Sequence, residues 1–315
     1  FPAGPTLFIC AVCTWLLLRA LIPQLRHLLL DQPNARSSHH LPTPCGGGLA
    51  FVLVATVSSL LALASIDWSA TAALPVIALP LSLTGLLDDR HNLPSSWRYG
   101  VQLATALLLV ILSPLQTPLL VFAMMLITVT AVINFTNFMD GLDGLVAGCM
   151  IVTLSSATLI LKGSCSIWTL VGALIGFLLW NWSPAKVFMG DVGSTFLGAV
   201  FAGMVLQASN WLEAMSILLV ATPLLGDACL CVLRRLISGQ NIFQAHRLHL
   251  FQRLHQAGWH HARVSCLYIS ATVVLAIGLL LGGWPWVLGI AVVELLISIW
   301  LDQAVAVTFS MASKA

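Results

Sequence analysis

The chain has 315 residues, 59% of them hydrophobic and 8% charged, about a third of the roughly 25% charge of a soluble domain. With a mean hydropathy of +0.99, 11 Trp and 13 Phe, this excludes a water-soluble globular domain, a disordered chain, a collagen-like repeat and a coiled coil. The 13 Lys and Arg against 11 Asp and Glu leave no basic face to neutralise a phosphate backbone, so no nucleic-acid partner is expected.

A helix that crosses a bilayer needs about 20 mostly apolar residues. Cutting the chain at charges and Gly/Pro clusters predicts eleven such stretches, at 5–22, 47–64, 71–87, 98–113, 118–138, 145–161, 167–183, 192–208, 211–230, 264–281 and 285–301. The number falls to ten if the last two are not both spans. The first stretch has no basic leader and no evident cleavage pattern, so it reads as a span. The expected fold is all-α: one polytopic integral membrane bundle over residues 1–315. Short joints at 65–70, 114–117, 162–166, 209–210 and 282–284 alternate with longer polar ones, and every Lys and Arg except Lys162 falls on the long-joint face. The positive-inside rule makes that face cytoplasmic, with the N-terminus outside and Lys314 inside. The eight cysteines sit mostly in apolar runs without a disulfide or zinc pattern. Cys10 and Cys13 make a C-x-x-C within a membrane helix, a context that implies no redox chemistry.

A carboxylate in lipid is costly and is usually functional or paired. Asp31, Asp88, Asp89, Asp140, Asp143, Asp191 and Asp227 all fall at or near cytoplasmic ends of different spans, so seven acids converge on one membrane face. The first long joint, residues 31–48, is rich in Pro and Gly and offers Arg36, Ser37, Ser38 and His39 to a headgroup. Asp88 and Asp89 close the third span. Adjacent carboxylates need a cation, an Arg or a proton between them, and such a pair can hold a divalent ion or act as a base, Mg²⁺ being the best match. Asn134, Asn137, Asp140 and Asp143 recur every three residues, which on a helix makes a polar stripe facing one cavity. Gly141 and Gly144 can open or end that helix. Asp191 lies between Gly190 and Gly193 where the eighth span begins, a setting suited to a metal-bound phosphate and also to a plain helix cap. The last long joint carries His246, Arg247, His249 and Gln252, able to hold a diphosphate and hydrogen-bond a sugar or base. An amphipathic helix at the lipid interface is the alternative there. Zinc is not expected, because no thiolate is nearby and the acids point to a hard cation.

Together these motifs resemble the polyprenyl-phosphate N-acetylhexosamine-1-phosphate transferase family, glycosyltransferase family 4. The signatures D-x-P-N-x-R-S-S-H…P-T-P-x-G-G-G, G-x-x-D-D, N-x-x-N-x-x-D-G-x-D-G-L, F-M-G-D-x-G-S and a His-rich last loop occur in the family's order over about residues 31–253. The resemblance implies an enzyme of the bacterial inner membrane with a cytoplasmic active site. Such an enzyme moves a sugar 1-phosphate from a UDP-sugar to undecaprenyl phosphate with Mg²⁺, or Mn²⁺ in its place, and releases UMP. It implies catalytic roles for Asp88, Asp89, Asp140 and Asp143, metal binding by Asp191, and substrate binding by Asn134, Asn137, Arg36, His246, Arg247, His249 and Gln252. Membrane lipid and a second copy of the chain are the other expected partners. Two departures stand out: His249 is left as the equivalent of the first His of H-x-H-H, and Cys45 occupies a position where Arg is common. The spelling A-H-R-x-H-x-x-Q resembles the branch that initiates O-antigen and other surface polysaccharides, which implies a UDP-N-acetylhexosamine donor carrying GlcNAc or a deoxy sugar such as FucNAc. The alternative within the family is the phospho-N-acetylmuramoyl-pentapeptide transferase of peptidoglycan synthesis. A secondary transporter is the alternative of another class, but its site is expected at the bilayer midplane and across a repeat. Here the acids gather at one face, with Glu294 alone inside a span.

Overall fold

The apolar stretches fold as helices close to the limits read from the sequence. The structure is a computed structural model and describes residues 3–33, 41–65, 69–115, 117–241 and 246–313. In chain order come α1 (Ala3–Leu28), β1 (Leu30–Asp31), β2 (Thr43–Pro44), α2 (Gly48–Ala64), α3 (Ala70–His91), α4 (Ser95–Ile111), α5 (Leu119–Phe138), α6 (Leu145–Leu161) and α7 (Cys165–Asn181). They are followed by α8 (Asp191–Leu206), α9 (Trp211–Val220), α10 (Thr222–Ile237), α11 (Leu250–Gln256), α12 (His261–Ala304) and α13 (Phe309–Ala312). The two short strands pair antiparallel, Leu30 opposite Pro44, and are the only sheet among the described residues, so the fold is nearly all-α.

Four helices, α1, α3, α5 and α12, are long and apolar enough to cross a bilayer, and α9 with α10 makes a fifth candidate. Helices α2, α6, α7 and α8 are apolar but only 16 or 17 residues long. The stretch expected as one span at 211–230 is two helices, bent by 85°. The break falls at Ala221, just before Thr222-Pro223, because a proline is accommodated in the first turn of a new helix but not inside a continuing one. The last two stretches join in α12, which is interrupted at Gly283 (φ 68°, ψ −158°). There the chain doubles back, so that Leu275 and Leu279 pack with Val287 and Ala291.

Helix α8 lies at the centre, packed against α3, α5 and α2, with nearly every residue from Val192 to Leu206 buried. Its small side chains, Ser194, Thr195, Ala199 and Ala202 among them, let neighbours approach closely, which is how helices associate where lipid removes the hydrophobic drive. Phe51 of α2 packs against Phe196 of α8 and Phe177 of α7. The outward faces carry exposed Leu60, Leu119, Ile127, Leu281 and Trp300, apolar surface that only lipid can cover. This is an integral membrane protein.

Candidate active site

The end of α3 meets the start of α8, and two glycines make the meeting possible. A Cβ on Gly85 would lie 2.5 Å from the backbone carbon of Asp191 and 2.5 Å from the nitrogen of Val192. Gly190 has φ +74°, and a Cβ there would stand 2.5 Å from Asp89 Oδ2 and 2.9 Å from Cys45 Sγ. Both positions therefore need glycine, on steric grounds at Gly85 and on steric and conformational grounds at Gly190. Together they bring Asp88 and Asp89 up to Asp191.

The three carboxylates have different surroundings. Both oxygens of Asp88 are engaged: Oδ1 accepts the Leu93 N–H at 2.7 Å and Oδ2 accepts from Arg98 at 2.7 Å. Arg98, in the first turn of α4, also stands 4.0 Å from Asp191 Oδ2. Asp191 Oδ1 accepts from Asn137 at 2.8 Å, and the same amide donates to Ser194 Oγ at 2.9 Å. Asp89 Oδ1 accepts a long 3.4 Å bond from the Asp191 N–H. Its Oδ2 is buried with no hydrogen-bond partner among the described residues. An orphaned carboxylate oxygen facing a second carboxylate is costly by itself and is what a hard divalent cation with oxygen ligands would satisfy.

A cavity of about 610 Å³ opens over this group, lined by Asp31, Asp88, Asp89, Asp140, Asp143 and Asp191, with Asn137, Gln252 and His261. Six of the seven convergent acids are thus together. The seventh, Asp227, lies within α10, where it accepts the Leu250 and Phe251 N–H groups and the Tyr268 hydroxyl. Burial, with the charges of Asp191 and Asp143 adding to it, pushes the Asp140 carboxyl up to about 7. Burial also opposes ionisation of Asp143, but His261, 3.1 Å away, and the Ala185 N–H outweigh it and hold that carboxyl below the ordinary range. Burial, then Asp89, Asp140 and Asp191, drives the Cys45 thiol well up, so it stays protonated and is no nucleophile.

The polar stripe expected on one helix is divided. Helix α5 ends at Phe138, and Asp140 and Asp143 sit in the turn between α5 and α6 that closes at Gly144 (φ 73°). Asn134 does not reach the cavity: it exchanges hydrogen bonds with Gln102 of α4 and donates to Thr130 O. Of the described last-loop residues, only Gln252 lines the cavity. The Arg247 carbonyl accepts from Gln256. His249 is 2% exposed, stacked between His246 and Phe251, with Nδ1 3.6 Å from Asp227 Oδ1. Burial, followed by the neighbouring His249 and Arg235, lowers His246 to about 3. A thiol does stand beside this pair, Cys231 of α10, which corrects the expectation that none is near, because it comes from a separate helix. Arg36 lies outside the described residues. Two cavity-side groups carry no sequence signature. Arg98 could have been sought as the counter-charge that an Asp pair requires, whereas nothing in the spacing marked His261.

The chain matches the family described as glycosyl transferase family 4 over residues 71–209. It is 27% identical to the probable undecaprenyl-phosphate N-acetylglucosaminyl 1-phosphate transferase of Bacillus subtilis (strain 168), over 83% of this chain and 80% of that protein. It is 29% identical to the phospho-N-acetylmuramoyl-pentapeptide-transferase of Staphylococcus saprophyticus, over 87% and 95%. Identity is also 29% to the decaprenyl-phosphate N-acetylglucosaminephosphotransferase of Mycobacterium leprae, over 78% and 75%. The matched segment runs from the N-terminal end of α3 through α8 and so contains Asp88, Asp89, Asp140, Asp143 and Asp191. Over that segment the chain is similar to glycosyl transferase family 4, and along most of its length it is similar to these sugar-phosphate transferases.

Proposed function

We propose that this protein transfers an N-acetylhexosamine 1-phosphate from a UDP-sugar to undecaprenyl phosphate, at the cytoplasmic face of the inner membrane, as the first membrane step of an O-antigen or related surface polysaccharide. One observation carries the reading: six carboxylates share a cavity at the junction of α3, α5 and α8, with Asp89 Oδ2 unpartnered among the described residues beside Asp191. Asp191 would hold Mg²⁺, or Mn²⁺ in its place, beside Asp89. Bound there, the ion would supply neutralising charge for the diphosphate and for the departing UMP. Asp89 is the group free to take the last proton of the lipid phosphate, because both oxygens of Asp88 are already engaged. The phosphate oxygen then attacks the sugar-linked phosphorus, that new P–O bond forms, and the bond to UMP breaks. Arg98 orients Asp88 and lends positive charge to the acceptor side. Asn137 fixes the Asp191 carboxylate, and Gln252 and His261 face the nucleotide-sugar across the cavity.

The test is purified protein in detergent with undecaprenyl phosphate, Mg²⁺ and a panel of UDP-sugars that includes the UDP-muramoyl-pentapeptide, with UMP and lipid product measured. UMP and a lipid diphosphate sugar from a UDP-N-acetylhexosamine are expected. Turnover of the pentapeptide donor alone would move the protein to the peptidoglycan step, and solute flux without UMP would make it a transporter. Eleven spans with cytoplasmic long joints belong to the same proposal. A maleimide that cannot cross membranes should label a Lys162→Cys variant from outside intact cells and a His91→Cys variant only after lysis.

A further inference from the structure

We propose that Cys231, His246 and His249 form a second metal site, one for a borderline-soft divalent cation such as Zn²⁺, which ties the last loop to α10 and is separate from the carboxylate cavity. One ligand atom from each of the three residues lies within 4.8 Å of the other two, the only such group among the described residues. A thiolate with two imidazoles is a donor set that suits Zn²⁺ and leaves Mg²⁺ poorly served. Two of the three ligands are buried, Cys231 4% and His249 2% exposed, and His246 is half-buried.

The surroundings of His249 point to a ligand as well. Its buried Nδ1 makes no ordinary hydrogen bond among the described residues and stands 3.6 Å from Asp227 Oδ1. Asp227 is itself held by the Leu250 and Phe251 N–H groups and the Tyr268 hydroxyl. A carboxylate anchored behind an imidazole is the arrangement that fixes the tautomer of a metal-bound histidine: a proton on Nδ1 faces Asp227 and leaves Nε2 as the ligand. Ions bound at about 2.0–2.3 Å in tetrahedral geometry bring their ligand atoms to roughly 3.3–3.8 Å of one another, so the three need to close by about 1 Å. The His246 and His249 rings are already 5.0 Å apart. The 3.3 Å bond from the Leu248 N–H to His246 Nδ1 is the contact that closure would rearrange. Binding replaces the Cys231 S–H by S–metal and releases one proton. The thiolate and Asp227 then set two negative charges against the ion's two positive ones, and water completes the coordination.

The consequence reaches the active site. His249 caps α11, whose Gln252 lines the carboxylate cavity and whose Phe251 ring packs over Gly141, 3.1 Å from where a Cβ would stand. A metal at Cys231 would hold that wall in place.

The experiment uses the full chain in detergent, purified without a metal-affinity step. We expect one equivalent of zinc per chain by elemental analysis, retained in excess Mg²⁺, and replacement by Co²⁺ that gives a thiolate-to-cobalt charge-transfer band. Cys231→Ser should lose that band, while Cys229→Ser, at an exposed neighbour on the same helix, keeps it. If Cys231→Ser fails to fold, as judged by its melting temperature, His246→Gln serves instead, with at least tenfold weaker Co²⁺ binding expected. Absence of saturable zinc binding, displacement of the zinc by Mg²⁺, or an unchanged Co²⁺ spectrum in both variants would each overturn the proposal, whatever the transferase assay shows.

Discussion

Replacing Gly85 by Ala adds a single methyl group where α3 crosses the first turn of α8. That methyl would sit 2.5 Å from the Asp191 carbon and the Val192 nitrogen, about 0.9 Å inside the 3.4 Å at which ordinary contact begins. Both obstacles are backbone, so no side chain can swing aside. The helices must separate by close to an ångström, and overpacking of this kind costs about 1–3 kcal/mol. The larger effect falls on chemistry, because the displaced residues are Asp191 on one side and Asp88 and Asp89 on the other. Misplacing reacting groups by about 1 Å costs on the order of 100-fold in rate. The assay is UMP release from the UDP-sugar that the wild type accepts, run beside a melting curve in detergent. Gly100→Ala in α4 is the control, since a Cβ there meets nothing within 4 Å. Gly85→Ala should remain folded, lose on the order of 100-fold in turnover and lose more than Gly100→Ala by a wide margin. Activity within threefold of the control would refute the claim that this crossing positions the site.

Asp89→Asn should lower turnover by about 100- to 10,000-fold, the range for removing a general base, with little change in melting temperature. Asp88→Asn should lower it less and instead weaken salt-sensitive binding of the lipid phosphate, because Arg98 loses its partner; equal kinetic effects in the two variants would contradict the division of roles. Asp140 bears on pH. Its carboxyl is raised in the folded state to about 7, so the fold gains from the protonated form at low pH and loses that stability as pH rises from about 4, the unfolded value, through about 7. In chelator, the melting temperature of Asp140→Asn minus that of wild type should therefore grow over this range and level off above it; a flat difference would refute the assignment. Asp143 has the opposite sign. Its folded value is depressed by His261 and the Ala185 N–H, so its contribution is present above about pH 4 and is lost as pH falls through the folded value. His261→Ala should lose less stability than wild type on acidification below about pH 4, read as melting temperature against pH.

How much of this was legible varies with the physical range of the signal. Helix positions follow from runs of apolar residues, a local property, and α2, α5, α6 and α7 fall within a few residues of the expected limits. The bend at Ala221 was signalled by Thr222-Pro223, but a hydropathy count passes over a break that removes no apolar residue. The Asn134 to Asp143 stripe fails for a related reason. Period-three spacing places side chains on one face only while the helix lasts, and α5 stops at Phe138.

The sequence alone determined that the solvent is lipid, that the chain is a helical bundle, and that its scarce acids gather near one end, because charge is too costly in a bilayer to be placed without use. It also marked Asp88 and Asp89 as an adjacent pair, Asn137 by its spacing and Asp191 by the glycines around it. Only the tertiary structure decided which acids share the cavity, that Arg98 neutralises Asp88 and leaves Asp89 open, and that His249 turns away toward Asp227 and Cys231. Those outcomes depend on which helices pack together and how closely. Packing is set by contacts between residues far apart in the chain, such as Gly85 against Asp191, and no pattern along a single helix contains them.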